Sequence, residues 1–179
     1  MAPLRKASAY SKRKVTPFTR VSKRRKKAYI KTKPPQKIVK FVMGNEGLMK
    51  TKKLPYQLTA VSTENAQLRH NALEACRQFI NKKLSKETSN QYVFKVIPFP
   101  HHIQRENKML TGAGADRMQT GMAHAFGKSV GKAAILKKGS RIFFIAVQTQ
   151  KAEAFARKTL KQVKSKLPCK IQILTEIKK

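Results

Sequence analysis

The sequence predicts an α+β fold: a two-layer sandwich in which a mixed, mostly antiparallel sheet carries two helices, preceded by an extended basic tail. Three observations predict it. Residues 1–40 hold 15 Lys or Arg and no acid, whereas the other 139 hold 26 basic and 8 acidic side chains. Beyond the tail, β-rich runs are interspersed with two stretches whose apolar residues recur at helical spacing. Hydrophobic residues make up 40% of the 179, enough for one modest core. The expected division is a tail over 1–37 and one domain over 38–179.

The elements follow in order. Lys23-Arg24-Arg25-Lys26-Lys27 repels itself and should stay extended without a partner. Tyr10, Phe18 and Tyr29 lie among the tail's cations, where aromatic rings can stack on unpaired bases. Ile38 to Met43 is β-rich, and Tyr56 to Val61 reads as a second strand. Ala66 to Leu84 reads as a helix with Leu73, Cys76, Ile80 and Leu84 on one stripe, and Thr63 and Asn65 are candidate caps. Gln91 to Ile97 is a strand closed by Pro98 and Pro100.

Arg105 to Lys132 does not look like core, being small, glycine-punctuated and flexible, above all over about 105–122. Arg141 to Val147 is nearly continuous Ile, Phe and Val, as a strand covered on both faces would be. Lys151 to Lys166 places Ala152, Ala156, Leu160 and Val163 on one helical face, and Pro168 stops it. Cys169, Ile171 and Ile173 then alternate with polar residues, giving a last strand with one wet face.

Charge narrows the function. A net +33 repels itself unless a polyanion neutralises it, and nucleic-acid phosphate is the most general such partner. A membrane partner is set aside, because the longest apolar run, Ile142 to Val147, is far short of the ~18 residues of a span. Two cysteines, Cys76 and Cys169, fit a reduced cytosolic chain.

Chemistry finds little support. Gly121 and Gly127 are separated by five residues, where a phosphate-wrapping P-loop needs four, and no hydrophobic strand leads into them. Gly112 and Gly114 lack the third glycine of a dinucleotide fingerprint. His101 and His102 are adjacent and point to opposite sides of an extended chain. Neither cysteine has a second ligand at zinc spacing. Asp116 sits in the glycine-rich loop, but beside Arg117 it reads as a turn former rather than a base. No cofactor, metal, small-molecule substrate or catalytic residue is expected.

Phosphate binding suits these residues better. Glycines let the backbone approach a ribose-phosphate chain, while Arg105, Lys108, Arg117, Lys128 and Lys132 supply charge. Arg69 would put a cation in a helix's first turn, against the macrodipole. A phosphate shared by Arg69, His70 and the helix N-terminus would remove that conflict. The expected RNA-binding residues are Arg5, Lys12, Arg13, Arg20, Lys23 to Lys27, Arg69, His70, Arg77, His101, Arg105, Lys128 and Lys132.

The loop also carries a resemblance. Arg105-Glu106-Asn107-Lys108, the run Gly112 to Met122 and Ala125-Phe126-Gly127-Lys128 closely resemble the universal ribosomal protein family called L-ten-e in archaea and L-sixteen in bacteria. The likeness is greater to its archaeal and eukaryotic branch. Pro17-Phe18-Thr19-Arg20, Met43-Gly44-Asn45 and Arg69 to Ala75 extend the match over most of the chain. The basic run Val21 to Ala28 looks longer than the family's usual spacing.

The resemblance implies a structural protein of the large ribosomal subunit in the cytoplasm, at the base of the central protuberance. Its partners would be large-subunit ribosomal RNA, transfer RNA and neighbouring ribosomal proteins. Lys108, Gly112, Gly114, Asp116 and Arg117 would lie in a loop facing transfer RNA near the peptidyl-transferase centre. The alternative reading is a basic nucleic-acid-binding protein outside the ribosome.

Overall fold

The computed structural model describes residues 17–19, 23, 28, 30, 32–51, 53–89, 91–106 and 128–177. They form an α+β fold with two antiparallel sheets and three helices. In chain order the elements are β1 (Val42–Gly44), α1 (Glu46–Lys50), β2 (Tyr56–Ser62), β3 (Ala66–Arg69), α2 (His70–Thr88), β4 (Tyr92–Val96) and β5 (His102–Glu106). There follow β6 (Lys128–Leu136), β7 (Arg141–Val147), α3 (Gln150–Val163), a 3-10 turn (Lys164–Lys166) and β8 (Ile171–Ile177). The large sheet runs β1-β4-β7-β2-β8 and the small one β3-β6-β5.

Helix α2 buries its predicted stripe completely, with Leu73, Cys76, Ile80 and Leu84 all at 0% exposure. Each such aliphatic side chain contributes ~1.5–3 kcal/mol relative to exposure. The stripe packs in one core with Ala156, Leu160 and Val163 of α3 and with Leu58, Phe94, Phe143 and Ile145 of the large sheet. Thr149 caps α3, its hydroxyl oxygen accepting the Ala152 N–H at 3.2 Å. The far face of the large sheet is covered by Leu48 and Met49 of α1, which with Phe144 pack against Leu54, Val93 and Ala146. β7 is therefore buried on both faces, as its unbroken apolar run predicts.

The structure departs from the sequence reading in four places. The sheet is divided in two, and the short α1 joins the two expected helices. Ala66–Arg69, read as the first turn of the long helix, is the strand β3, paired to β6 from Ala66↔Leu136 to Arg69↔Ala133. Thr63 and Asn65 therefore cap nothing. The Thr63 hydroxyl donates to the Lys170 carbonyl, and the Asn65 side-chain oxygen accepts the Lys138 N–H, both at 3.1 Å. Finally, Lys128–Leu136, placed at the end of the non-core segment and beyond it, is a nine-residue strand.

Register fixes what the small sheet shows on each side. Ala66, Leu68, Ala134 and Leu136 enter the main core that α2 covers. The alternate residues Gln67, Arg69 and Ala133, with Gln104 opposite Gly131, therefore lie on the face turned away from the helices.

Candidate nucleic-acid interface

The chain passes from β3 into α2 without a loop. Arg69 ends the strand and serves as the N-cap in extended backbone (φ −67°, ψ 146°), making no side-chain cap hydrogen bond. No acid lies in the first turn. The positive end of a 19-residue helix dipole is thus flanked by a guanidinium rather than by the carboxylate that would complement it.

His70, the first helical residue, is buried, and its Nδ1 accepts the backbone N–H of Lys37 at 3.1 Å. That bond requires an unprotonated Nδ1, which assigns the proton of the neutral ring to Nε2. Burial pushes the imidazole pKa down, and the charges of Arg69, Lys37 and Lys132 push it further. Burial and the field of three cations thus both favour a neutral ring. Gly131 of β6 makes the approach possible, since a Cβ there would lie 3.1 Å from His70 Nε2 and 3.4 Å from Arg69 Nη2.

A second anchor lies on the outer edge of the small sheet. Phe18 donates its N–H to His102 Nδ1 at 3.0 Å, and its carbonyl accepts the Ile103 N–H at 3.1 Å. The Arg105 guanidinium lies 4.5 Å from the centroid of the Phe18 ring, a cation–π distance. The ring that the sequence reading reserved for a base is thus used to seat Arg105 and the His102 ring, 5.9 Å away. Gln104 donates to Gln67 at 3.2 Å across the same face.

Of the expected residues, the structure brings Arg69, His70 and Lys132 together and seats Arg105 on the same sheet. His101 is exposed, with Nδ1 3.0 Å from the Phe99 carbonyl oxygen. Arg77 lies two turns along α2, where Glu74 engages its guanidinium through two hydrogen bonds. That pairing holds the Glu74 carboxyl below its usual range. Lys23 is exposed, and Lys128 is placed as the first backbone position of β6.

Arg5, Lys12, Arg13, Arg20, Arg24, Arg25, Lys26, Lys27, Lys108, Gly112, Gly114, Asp116 and Arg117 lie outside the described residues. Sequence reasoning missed Lys37 as the backbone partner of His70 and Phe18 as that of His102. An aromatic or a lysine in a low-complexity tail carries no signal of the backbone bond it will make. Among the described residues, no three His, Cys, Asp or Glu side chains are grouped to hold a metal ion, and no helix is long and apolar enough to cross a membrane.

The family pattern described as Ribosomal protein L16p/L10e matches residues 16–174. The chain belongs to that family. The large ribosomal subunit protein uL16 of Sulfolobus acidocaldarius is 41% identical over 174 residues, covering 96% of this chain and 93% of the relative. That of Staphylothermus marinus has the same identity and coverage. The uL16 of Methanoculleus marisnigri is 43% identical over 157 residues, or 84% of this chain and 89% of the relative. Membership makes the chain a ribosomal protein, a structural constituent of the ribosome in the cytoplasm and not an enzyme. The alternative of a basic nucleic-acid-binding protein outside the ribosome falls with that result.

Proposed function

We propose that this protein anchors ribosomal RNA of the large subunit where its small sheet runs into the N-terminus of α2, and that it helps position transfer RNA near the peptidyl-transferase centre. The observation that carries the RNA reading is the set of cations around neutral His70. Arg69, Lys37 and Lys132 all act electrostatically on the ring at the uncapped end of α2, and Gly131 lets the Arg69 and His70 side chains lie against β6. Such a site offers N–H donors and positive field to phosphate oxygens. The relatives' names as large-subunit proteins support the choice of RNA. Residues 1–37 act on this reading as a basic arm along the RNA, and 38–179 as the domain that orients it. Neighbouring large-subunit proteins complete the surroundings. The transfer-RNA role rests on the family resemblance of the loop at about 105–122.

The test measures binding of the full chain to a large-subunit RNA fragment across salt. With six to ten phosphate contacts, affinity falls ~10³–10⁵ between roughly 50 and 200 mM salt. Arg69→Gln with Lys132→Gln should lower the slope of log K against log salt by about 1–2. An unchanged slope in a variant that folds normally overturns the assignment of this site.

A further inference from the structure

The outward face of the helix layer carries charge that the interface on the small sheet does not use. Helices α2 and α3 with the 3-10 turn hold eight lysines: Lys82, Lys83 and Lys86 on one side of the seam, and Lys151, Lys158, Lys161, Lys164 and Lys166 on the other. Their three carboxylates do little to offset them. Glu74 is engaged by Arg77 and Glu153 by Arg157, leaving Glu87. None of the eight lysines forms an ion pair with a described residue.

The arrangement opposes helix stability in the free protein. Lys82 and Lys86 stand at i,i+4, and Lys83–Lys86, Lys158–Lys161 and Lys161–Lys164 at i,i+3, spacings at which like charges repel. Across the seam, the Lys83 and Lys166 ammonium groups lie 4.7 and 5.5 Å from the centroid of one ring, Phe79. Lys83 also donates to Gln162 of α3. Two like charges held over one ring by elements from different parts of the chain make a focus of positive potential.

We propose that this helix face, centred on Phe79, Lys83 and Lys166, is a second RNA-backbone surface, so that the protein bridges two RNA segments. Three features set it apart from the first surface. The small sheet turns Arg69 and Gln104 away from the core that α2 covers, so the two faces look in opposite directions. Phe79 is nine residues beyond His70, about 14 Å along the helix. And the first surface is built round a buried, hydrogen-bonded histidine, whereas this one uses only lysine point charges on long stems, suited to phosphates rather than to base edges. Phosphate is favoured over an acidic protein because the Phe79 ring is covered by the lysines and presents no open apolar anchor of the kind that protein partners seat in a pocket. The inference rests on the RNA reading above but not on the assignment of the small sheet.

The experiment uses the full chain and two short RNA duplexes of arbitrary sequence carrying a fluorescent donor and acceptor. The wild type should bring the two duplexes together at low salt. Lys83→Gln/Lys86→Gln/Lys166→Gln should bind one duplex without recruiting the second, with the salt slope lower by about 2. Arg69→Gln/Lys132→Gln should likewise lose recruitment if the small sheet is the first surface. If only the helix variant loses it, the small-sheet assignment fails and the helix face stands. Recruitment and salt slope unchanged in the helix variant, with an unaltered melting temperature confirming its fold, would overturn the proposal. So would a poly-glutamate peptide that binds the helix face in preference to the duplex.

Discussion

Replacing Gly44 by alanine tests how β1 is held to the large sheet. Gly44 ends β1 at φ +85°, and a Cβ there would lie 2.1 Å from the Tyr92 carbonyl oxygen and 3.0 Å from its carbon. The obstruction is backbone of the adjacent strand, so no rotamer change relieves it. β1 must move away from β4, breaking the pairing of Gly44 with Val93 and the 2.9 Å bond from the Asn45 N–H to the Tyr92 carbonyl. The left-handed backbone costs a non-glycine residue ~1–2 kcal/mol, and forcing atoms into filled space ~1–3 kcal/mol. Together these give ~2–5 kcal/mol, or a melting temperature lower by roughly 6–25 °C for a domain of this size. Gly139 supplies the control. It has the same φ of +85° but nothing within 4 Å of its Cβ position, so Gly139→Ala should carry the backbone cost alone. Thermal unfolding followed by circular dichroism at one fixed salt concentration compares the two. Equal shifts, or a Gly44 variant melting with the wild type, would refute the argument that close approach demands this glycine.

His70 predicts a pH dependence. Its folded pKa lies below its usual value near 6.5, so the unfolded chain binds the additional proton first. The stability from this site is complete above that usual value and is lost as pH falls through the lower folded pKa. Melting temperature should therefore decline from pH 7.5 to 5.5, and less so in His70→Gln; parallel profiles would contradict the account. The cysteines predict inertness. Burial pushes the Cys76 thiol up to about 12, and that of Cys169 also rises, mainly by burial. Iodoacetamide at pH 8 should label both only after denaturation, and rapid labelling of the folded protein would show that the site between α2 and the chain before β8 is open.

What was legible in the sequence was what each element owes to its own residues. The stripes of α2 and α3 announce themselves by spacing, and the same residues fill the core. β7 announces itself by an apolar run that needs cover on both faces. What was not legible depends on partners far along the chain. Ala66-Gln67-Leu68-Arg69 is built from good helix formers, and its strand conformation comes from pairing with β6, some 70 residues later. β6 in turn hides behind Gly131, which reads as a loop signal until one sees that a Cβ there would press on Arg69 and His70. Arg69 and His70 stood out in the sequence because a cation at a helix start is locally incongruous. Lys37 and Phe18 were not legible as partners of the two histidines, because they act through backbone N–H groups that nearly every residue possesses.

Those two backbone bonds bear on how the tail is regarded. Both buried histidines use Nδ1 to accept a main-chain N–H from the N-terminal segment, His102 from Phe18 and His70 from Lys37. Ile30 and Pro34 between them are buried as well. The boundary drawn by charge near residue 40 is therefore not a boundary in hydrogen bonding. The described parts of the basic arm are fastened at two points, to His70 at the start of α2 beside Arg69 and to His102 of the small sheet near Arg105. On the proposed reading, a cationic arm fixed in this way starts its course along RNA from a defined place and direction, which reduces the ordering entropy that its binding must overcome. Neutral imidazole suits this fastening. A protonated Nδ1 could no longer accept the N–H, and the surrounding cations that favour phosphate also keep the His70 ring neutral. At His70, the proposed anion binding and the attachment of the arm thus draw on one electrostatic arrangement.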